Sequence, residues 1–188
     1  MIRFCSQNYI DQKKYDSCVQ RDESSLAYAH SWYLNAVCEQ WDCLVLDDYD
    51  AVWPLPYRQK WGLKYYYRPF GIQQLGIYSK KKLSDEMIAA FIAEMARQVP
   101  FADLYLNEGQ ALDLGSATKW EFQSQRNQKL KLGRSYQSVY EGFNTNLKRK
   151  LKKSAKANLE LFENDGPQVL IDLFRENQGA ELELPEKF

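Results

Sequence analysis

Apolar residues recurring at three- and four-residue spacing mark the helices of this chain, and short apolar runs bounded by turn residues mark its strands. The clearest helix is Leu83–Val99. Ile88, Phe91, Ile92, Met95 and Val99 form one stripe, Ser84 is placed to cap its start, and Pro100 ends it. Ahead of it, Ile2–Cys5 reads as a short opening strand. Tyr9–Val19 has helical spacing, with Asp11 suited to capping or charging its first turn. A second helical segment, Tyr28–Gln40, repeats Trp32, Ala36 and Val37 at helical spacing. Cys43–Leu46 is a compact buried strand, Asp47–Asp50 a turn, and Ala51–Tyr57 the next strand. Pro54 and Pro56 interrupt that strand, which predicts an edge, bulged or splayed position. Gly62 marks the following turn, and the Tyr-rich Leu63–Phe70 suits another strand.

The second half is more polar. Phe101–Leu106 predicts a short strand, Phe122–Leu132 a further strand in which Gln and Lys alternate with their neighbours, and Tyr136–Phe143 a short helix. Asn144 or Thr145 then caps a basic helix reaching about Asn158. Leu159–Phe162 follows as a short strand or extension, and Pro167–Glu176 as a last helix. The order β-α-α-β-β-β-α-β predicts an α/β fold, a mixed sheet with helices on both faces. No internal repeat or low-complexity tract is visible.

Charge changes this picture locally. The 25 basic and 25 acidic residues cancel, which argues against a general attraction to nucleic acid or anionic membrane. Yet positions 144–157 are almost purely basic and the chain from Glu160 onward is acidic, so a local anion site is open. The four cysteines form no CxxC pair and there is one histidine, so zinc spacing is missing and packed, reduced thiols are expected. The opening MIRFCSQ has no apolar core of a signal peptide, and no apolar run reaches the ~20 residues that span a bilayer. A cytoplasmic protein without membrane insertion is expected. His30 has no Ser or Cys partner at a recognisable spacing and reads as a packed or surface residue. Asp47, Asp48 and Asp50 lack the order of a calcium loop, so no metal is expected.

Three segments could carry chemistry. Gln73-Gln74-Leu75-Gly76 places a glutamine three residues ahead of a glycine, in a turn that either is structural or offers backbone N–H groups to a phosphate. In the basic helix, Phe143, Leu147, Leu151 and Ala155 recur every four residues. Lys148, Lys152 and Lys156 form one flanking row, and Arg149 and Lys153 another. Such a face is either solvated or an anion contact, to a phosphate or to RNA, with Arg149 the strongest single residue because a guanidinium grips phosphate bidentately. Arg58, Lys60, Lys64 and Arg68 interleave with Trp61 and Tyr65–Tyr67. That pattern fits a hairpin with charges outward and aromatics inward, or a surface that stacks bases or sugars.

The stretches PLPYRQKWGLKYY and QQLG, a strand carrying Arg126, a short helix carrying Tyr140 and the run LKRKLKKSAKANLELF together resemble the N-terminal half of double-GNAT proteins. That group includes the Fem-type peptidyltransferases of bacterial cell walls and uncharacterised members of Bacteroidetes type. The resemblance implies a GNAT (acyl-CoA N-acyltransferase)-like fold and transfer of an acyl or aminoacyl group to an amine. The implied donor is acyl-CoA or aminoacyl-tRNA, and the implied acceptor a small molecule or peptidoglycan precursor. Gln73, Gln74 and Gly76 then fall in the coenzyme A pyrophosphate turn, although Tyr78 stands where the pattern has Gly or Ala. Arg68, Lys148, Arg149 and Lys152 are the further binding residues, backbone donors near Pro69–Leu75 the oxyanion site, and no general base is named. The implied organisation is a GNAT-like domain over 1–142, with the basic helix and the start of a second, incomplete half over 143–188. Relatives continue past the basic helix, so a missing second domain or a homodimer partner is expected. The alternatives are a non-catalytic scaffold for such a partner and an RNA-binding adaptor acting through the basic helix.

Overall fold

The computed structural model describes residues 1–110, 120–130, 133, 135–157, 159–160, 166–177 and 179. The chain divides into two compact units, Met1–Ser124 and Gln125–Phe188.

In the first unit the elements are β1 (Ile2–Ser6), α1 (Gln12–Arg21), α2 (Ser31–Val37), β2 (Trp41–Leu46), β3 (Ala51–Lys60), β4 (Leu63–Tyr66), β5 (Tyr78–Ser79) and α3 (Asp85–Gln98). The sheet runs β1-β2-β3-β4, with β5 also on β3, and every ladder is antiparallel. Asp11 caps α1 by accepting from the Lys14 N–H at 3.1 Å, and Ser84 caps α3 by accepting from the Met87 N–H at 3.3 Å. α2 is shorter than its periodicity predicts. The carboxylate of Asp16 on α1 accepts both the N–H and the hydroxyl of Ser31, at 2.8 and 2.6 Å, and so fixes where α2 begins.

The register Cys5↔Cys43, Cys43↔Pro54, Leu44↔Trp53 and Tyr57↔Tyr66 sorts side chains onto two faces, because directly paired residues point the same way. On one face Cys5, Trp41, Cys43, Val45 and Val52 pack with Tyr15, Cys18 and Val19 of α1 and Leu34 of α2. On the other, Leu44, Trp53, Leu55 and Tyr66 pack with Ile88, Phe91, Ile92 and Met95 of α3. This gives a mixed α/β unit, an antiparallel sheet between helices. All four cysteines are free and buried, and burial pushes the Cys18 thiol up to about 11, so at neutral pH it is a packing group.

β3 is not an edge strand, despite its two prolines. It is flanked by β2 on one side and by β4 and β5 on the other. The Tyr57 N–H donates to the Gln40 carbonyl on the β2 side, at 3.1 Å. Backbone direction alternates along a strand, so Pro54 and Pro56, the residues without an N–H, face the opposite side. There β5 pairs only with Ala51 and Val52, and β4 only with Tyr57–Lys60. The missing donors therefore coincide with a break in the neighbouring strand. β4 and β5 occupy the same side of β3, and residues 67–77 leave the sheet between them. Accordingly the strand expected over Leu63–Phe70 ends at Tyr66. The strand expected at Phe101–Leu106 is an extended segment with one parallel bridge, Ala102 to Tyr66.

Residues 122–130 join no sheet. Polar residues on both sides of that segment leave no apolar face to bury, and Phe122 and Leu130 are exposed. In the second unit the elements are α4 (Tyr136–Glu141), α5 (Thr145–Ala155) and α6 (Pro167–Glu176). Asn144 caps α5 by accepting from the Leu147 N–H at 2.8 Å. No described residue of α4, α5 or α6 is buried. Leu159 and Glu160 form no strand, while the rest of that expected segment, Asn158 and the acidic end of the chain lie outside the described residues. Among the described residues no helix is long and apolar enough to cross a membrane.

Candidate functional site

The break beside β3 collects most of the chemistry-bearing residues of the first unit. The excursion 67–77 starts where the Tyr67 N–H donates to the Pro56 carbonyl at 3.1 Å, and it is tied down at Gly71, whose carbonyl accepts the Tyr33 hydroxyl at 3.0 Å. Gly71 has φ +83, a left-handed conformation that favours glycine. Arg68, Gln73, Gln74 and Gly76 all lie on this one excursion.

Its second half is clasped by the chain that follows α3. The Leu75 N–H donates to the Tyr105 carbonyl at 2.7 Å, the Gly76 N–H to Asn107 Oδ1 at 3.0 Å, and the Ile77 N–H to Gln110 Oε1 at 2.9 Å. Trp53 Nε1 donates to the Leu75 carbonyl at 3.1 Å. A Cβ on Gly76 would stand 2.5 Å from the Asn107 backbone nitrogen, so only glycine fits. Of the turn read as offering N–H groups to a pyrophosphate, the Leu75 and Gly76 amides are thus spent inside the fold, as is that of Ile77 after it, and the segment enters β5, not a helix. The donors left over lie earlier. Among the described residues the Gly71 and Gln74 N–H groups are donated to no protein acceptor.

Cations and rings line the rim. The Arg68 guanidinium lies 4.0 Å from the Tyr105 ring centroid, and Arg58 lies 4.6 Å from that of Tyr67. Tyr65 meets Tyr67 and Phe101 edge to face, at 6.3 and 6.4 Å. Burial raises the Tyr67 hydroxyl above its ordinary value, against the opposing charge of Arg58. Among the described residues neither Arg58 nor Arg68 is in an ion pair with a carboxylate. Both guanidiniums keep charge available for an anion.

Lys64 behaves differently from its three basic neighbours. Its ammonium bonds to Asp42 on β2 and lies 3.9 Å from the Tyr57 centroid, 5.1 Å from Phe4 and 5.5 Å from Tyr66. The Asp42 side chain is 1% exposed. Burial raises its carboxyl above the usual range, and the hydrogen bond and charge of Lys64 pull it back. The Tyr66 hydroxyl is buried beside this carboxylate without a partner at full hydrogen-bond geometry, and burial first, then Asp42, holds it well above the ordinary tyrosine range. The one sequence signal for this cluster is an aspartate inside the apolar run Trp41–Leu46. His30 stands 3.6 Å from Asp16 at the start of α2. Among the described residues no three metal-ligating side chains converge.

In the second unit α5 presents Arg149 and Lys152 to solvent, with Lys148 half-buried. Lys148 Nζ donates to the Glu141 carbonyl at 2.9 Å, and Arg149 donates to Asn146 Oδ1 at 3.2 Å. Among the described residues no carboxylate neutralises any of the three. Comparison with protein-family models, curated proteins and solved structures finds no match for this chain.

Proposed function

We propose that this chain is a GNAT-like acyltransferase domain of the double-GNAT, Fem-type kind, which binds an acyl donor at the break between β4 and β5 and passes the acyl group to an amine. The observation that carries the reading is the break itself. Two prolines on β3 strip donors from one side, the neighbouring strand opens, and the excursion so formed holds two unspent amides, Gly71 and Gln74, on the same segment as Arg68. A site of that kind suits an anionic donor whose carbonyl needs backbone N–H groups as its charge develops. The parallel bridge from Tyr66 to Ala102, reached through α3, supports the same reading as a single parallel pairing beside an otherwise antiparallel sheet. Arg68 takes the phosphates of the donor, and Gln73 and Gln74 stand beside its path.

Calorimetric titration with coenzyme A and acetyl-CoA tests this. The expected result is binding that weakens roughly 10- to 100-fold in Arg68→Ala, the loss of one charged hydrogen-bonded contact. No heat with either ligand overturns the proposal.

A second reading is favoured by α5. Arg149 and Lys152 are exposed and not neutralised among the described residues, which fits an RNA contact, either as the aminoacyl-tRNA donor or in an adaptor without chemistry. Binding to bulk tRNA that is lost in Arg149→Ala, together with silence toward coenzyme A, would favour it.

A further inference from the structure

The second unit holds an amphipathic helix whose apolar side meets solvent. A helix turns about 100° per residue, so Leu147, Leu151 and Ala155 of α5 fall within one sector about 80° wide. Lys150 flanks that sector on one side and Lys148 on the other, while Arg149, Lys152 and Lys153 stand across the helix. Leu147 is 38% exposed, Ala155 is exposed and Leu151 is half-buried. α6 does not cover the stripe, because its own Val169, Leu170 and Leu173 are exposed as well. We infer that α5 lies flat on an anionic lipid surface, with Leu147 and Leu151 sunk past the headgroups and its cations among the phosphates. The contact does not depend on acyl-donor binding in the first unit.

Three observations select a lipid surface as the occupant. The first is charge. Lys148, Arg149, Lys150, Lys152, Lys153 and Lys156 all fall within residues 144–157, and no acidic residue does. Among the described residues none of the six is in an ion pair. Each cation held near an anionic leaflet strengthens binding roughly fivefold. The chain's zero net charge does not oppose this, since screening over ~8 Å leaves the local patch to act alone. The second is arrangement. Lysines beside an apolar stripe lay their stems along it and raise their ammonium groups to the phosphates. A nucleic acid strand would use the cations and leave both leucines in water. The third is the aromatic row that leads into α5. Tyr136, Tyr140 and Phe143 follow one another at centroid distances of 6.0 and 5.8 Å, and the Lys148 ammonium lies 5.5 Å from the Tyr140 ring. Tyr136 is 69% exposed. Tyrosine suits the boundary between headgroups and acyl chains, with its ring on the apolar side and its hydroxyl in water. At 11 residues α5 is about 16 Å long, half the thickness of a bilayer core, so it lies on the surface and does not cross it.

Sedimentation of the full chain with lipid vesicles tests the inference, with phosphatidylcholine alone and with phosphatidylcholine mixed with phosphatidylglycerol. The expected result is binding to the mixed vesicles that weakens as salt rises, and none to the neutral ones. Leu147→Ser removes an apolar anchor and weakens the binding about tenfold. Lys150→Gln removes one flanking cation and weakens it about fivefold. Both positions are exposed, so neither change shifts the unfolding transition. A full chain that binds neither vesicle overturns the inference, and if it binds bulk tRNA instead, α5 belongs to RNA. Binding to the mixed vesicles that Leu147→Ser leaves at full strength also overturns it, since the contact is then charge alone. Equal binding to the neutral vesicles overturns the anionic surface.

Discussion

Replacing Gly76 by alanine puts the clasp around the excursion to the test. Gly76 does not have a positive φ, so the cost is steric and can be read from its neighbours. The new Cβ would stand 2.2 Å from Gln110 Oε1, 2.5 Å from the Asn107 backbone nitrogen and 2.9 Å from Asn107 Cγ. The glutamine can swing away, but only by giving up its bond to the Ile77 N–H. The Asn107 backbone can move only by dragging the extended segment that also holds Leu75. Overpacking of this kind costs roughly 1–3 kcal/mol. Each hydrogen bond surrendered adds about 1 kcal/mol. Alanine returns about 0.4–1 kcal/mol by restricting the unfolded chain. The expected net loss is therefore about 2–4 kcal/mol, measured by urea unfolding with tryptophan fluorescence. Gly62→Ala is the control. A Cβ there meets nothing within 4 Å, so its left-handed φ of +78 alone is penalised, by about 1 kcal/mol. If Gly76→Ala unfolds within about 0.5 kcal/mol of the wild type, the clasp is not what holds the excursion. A variant of wild-type stability that loses coenzyme A binding would instead return Gly76 to the role of a phosphate-turn residue.

Lys64→Met should destabilise the protein by about 2–4 kcal/mol at pH 7, because it leaves the Asp42 carboxylate buried without its partner. A raised folded-state value means that Asp42 contributes stability in full below its unfolded value near 3.8 and loses it as pH rises through the folded value. Removing Lys64 raises that value further, so the deficit of Lys64→Met should shrink as pH falls from neutral toward the unfolded value, and a deficit that does not change with pH would refute the account. Pro56→Ala introduces an N–H aimed at the broken side of β3, in a buried position, and should cost about 1–3 kcal/mol in the same urea assay. If tRNA binds α5, replacing Lys148, Arg149 and Lys152 together by alanine should flatten the dependence of log K on log salt by about 2, since single strands contribute roughly 0.7 per charge.

Helices, caps and the α/β order were legible because each depends on neighbours close in the chain. Asp11, Ser84 and Asn144 cap where their side chains reach an N–H three residues on. The stripe of α3 is buried as its spacing requires, Val99 included, although the helix itself ends at Gln98. The prolines of β3 are the instructive case. They rightly demand a side of the strand without a ladder, but an edge is only one way to supply it. A central strand supplies it too, if the neighbour breaks at the same level, and that depends on residues 67–77, which no local pattern connects to Pro54. Residues 122–130 show the opposite error. Their side chains alternate, yet alternation predicts a strand only when one set of positions is apolar.

The candidate site was legible in its composition and not in its assignments. Arg58, Lys60, Lys64 and Arg68 look equivalent on the page, each basic and each near an aromatic. Pairing separates them. Lys64 on β4 stands opposite Gln59, which puts it on the face of Asp42 and Tyr57, and a buried carboxylate then takes its charge. Arg58 and Arg68 meet rings, so their charge is still uncommitted. The same reasoning applies to Gly76. The glycine suggests a phosphate that a bare backbone can approach, but what approaches it is the backbone of Asn107, thirty-one residues away. A glycine that must stay bare says that something comes close; only the fold says whether that something is a ligand or the chain itself. Here the chain fills the space at Gly76 and leaves the Gly71 amide unspent, and a donor-binding experiment on Arg68 therefore examines the part of the excursion where the protein has not already satisfied its own backbone.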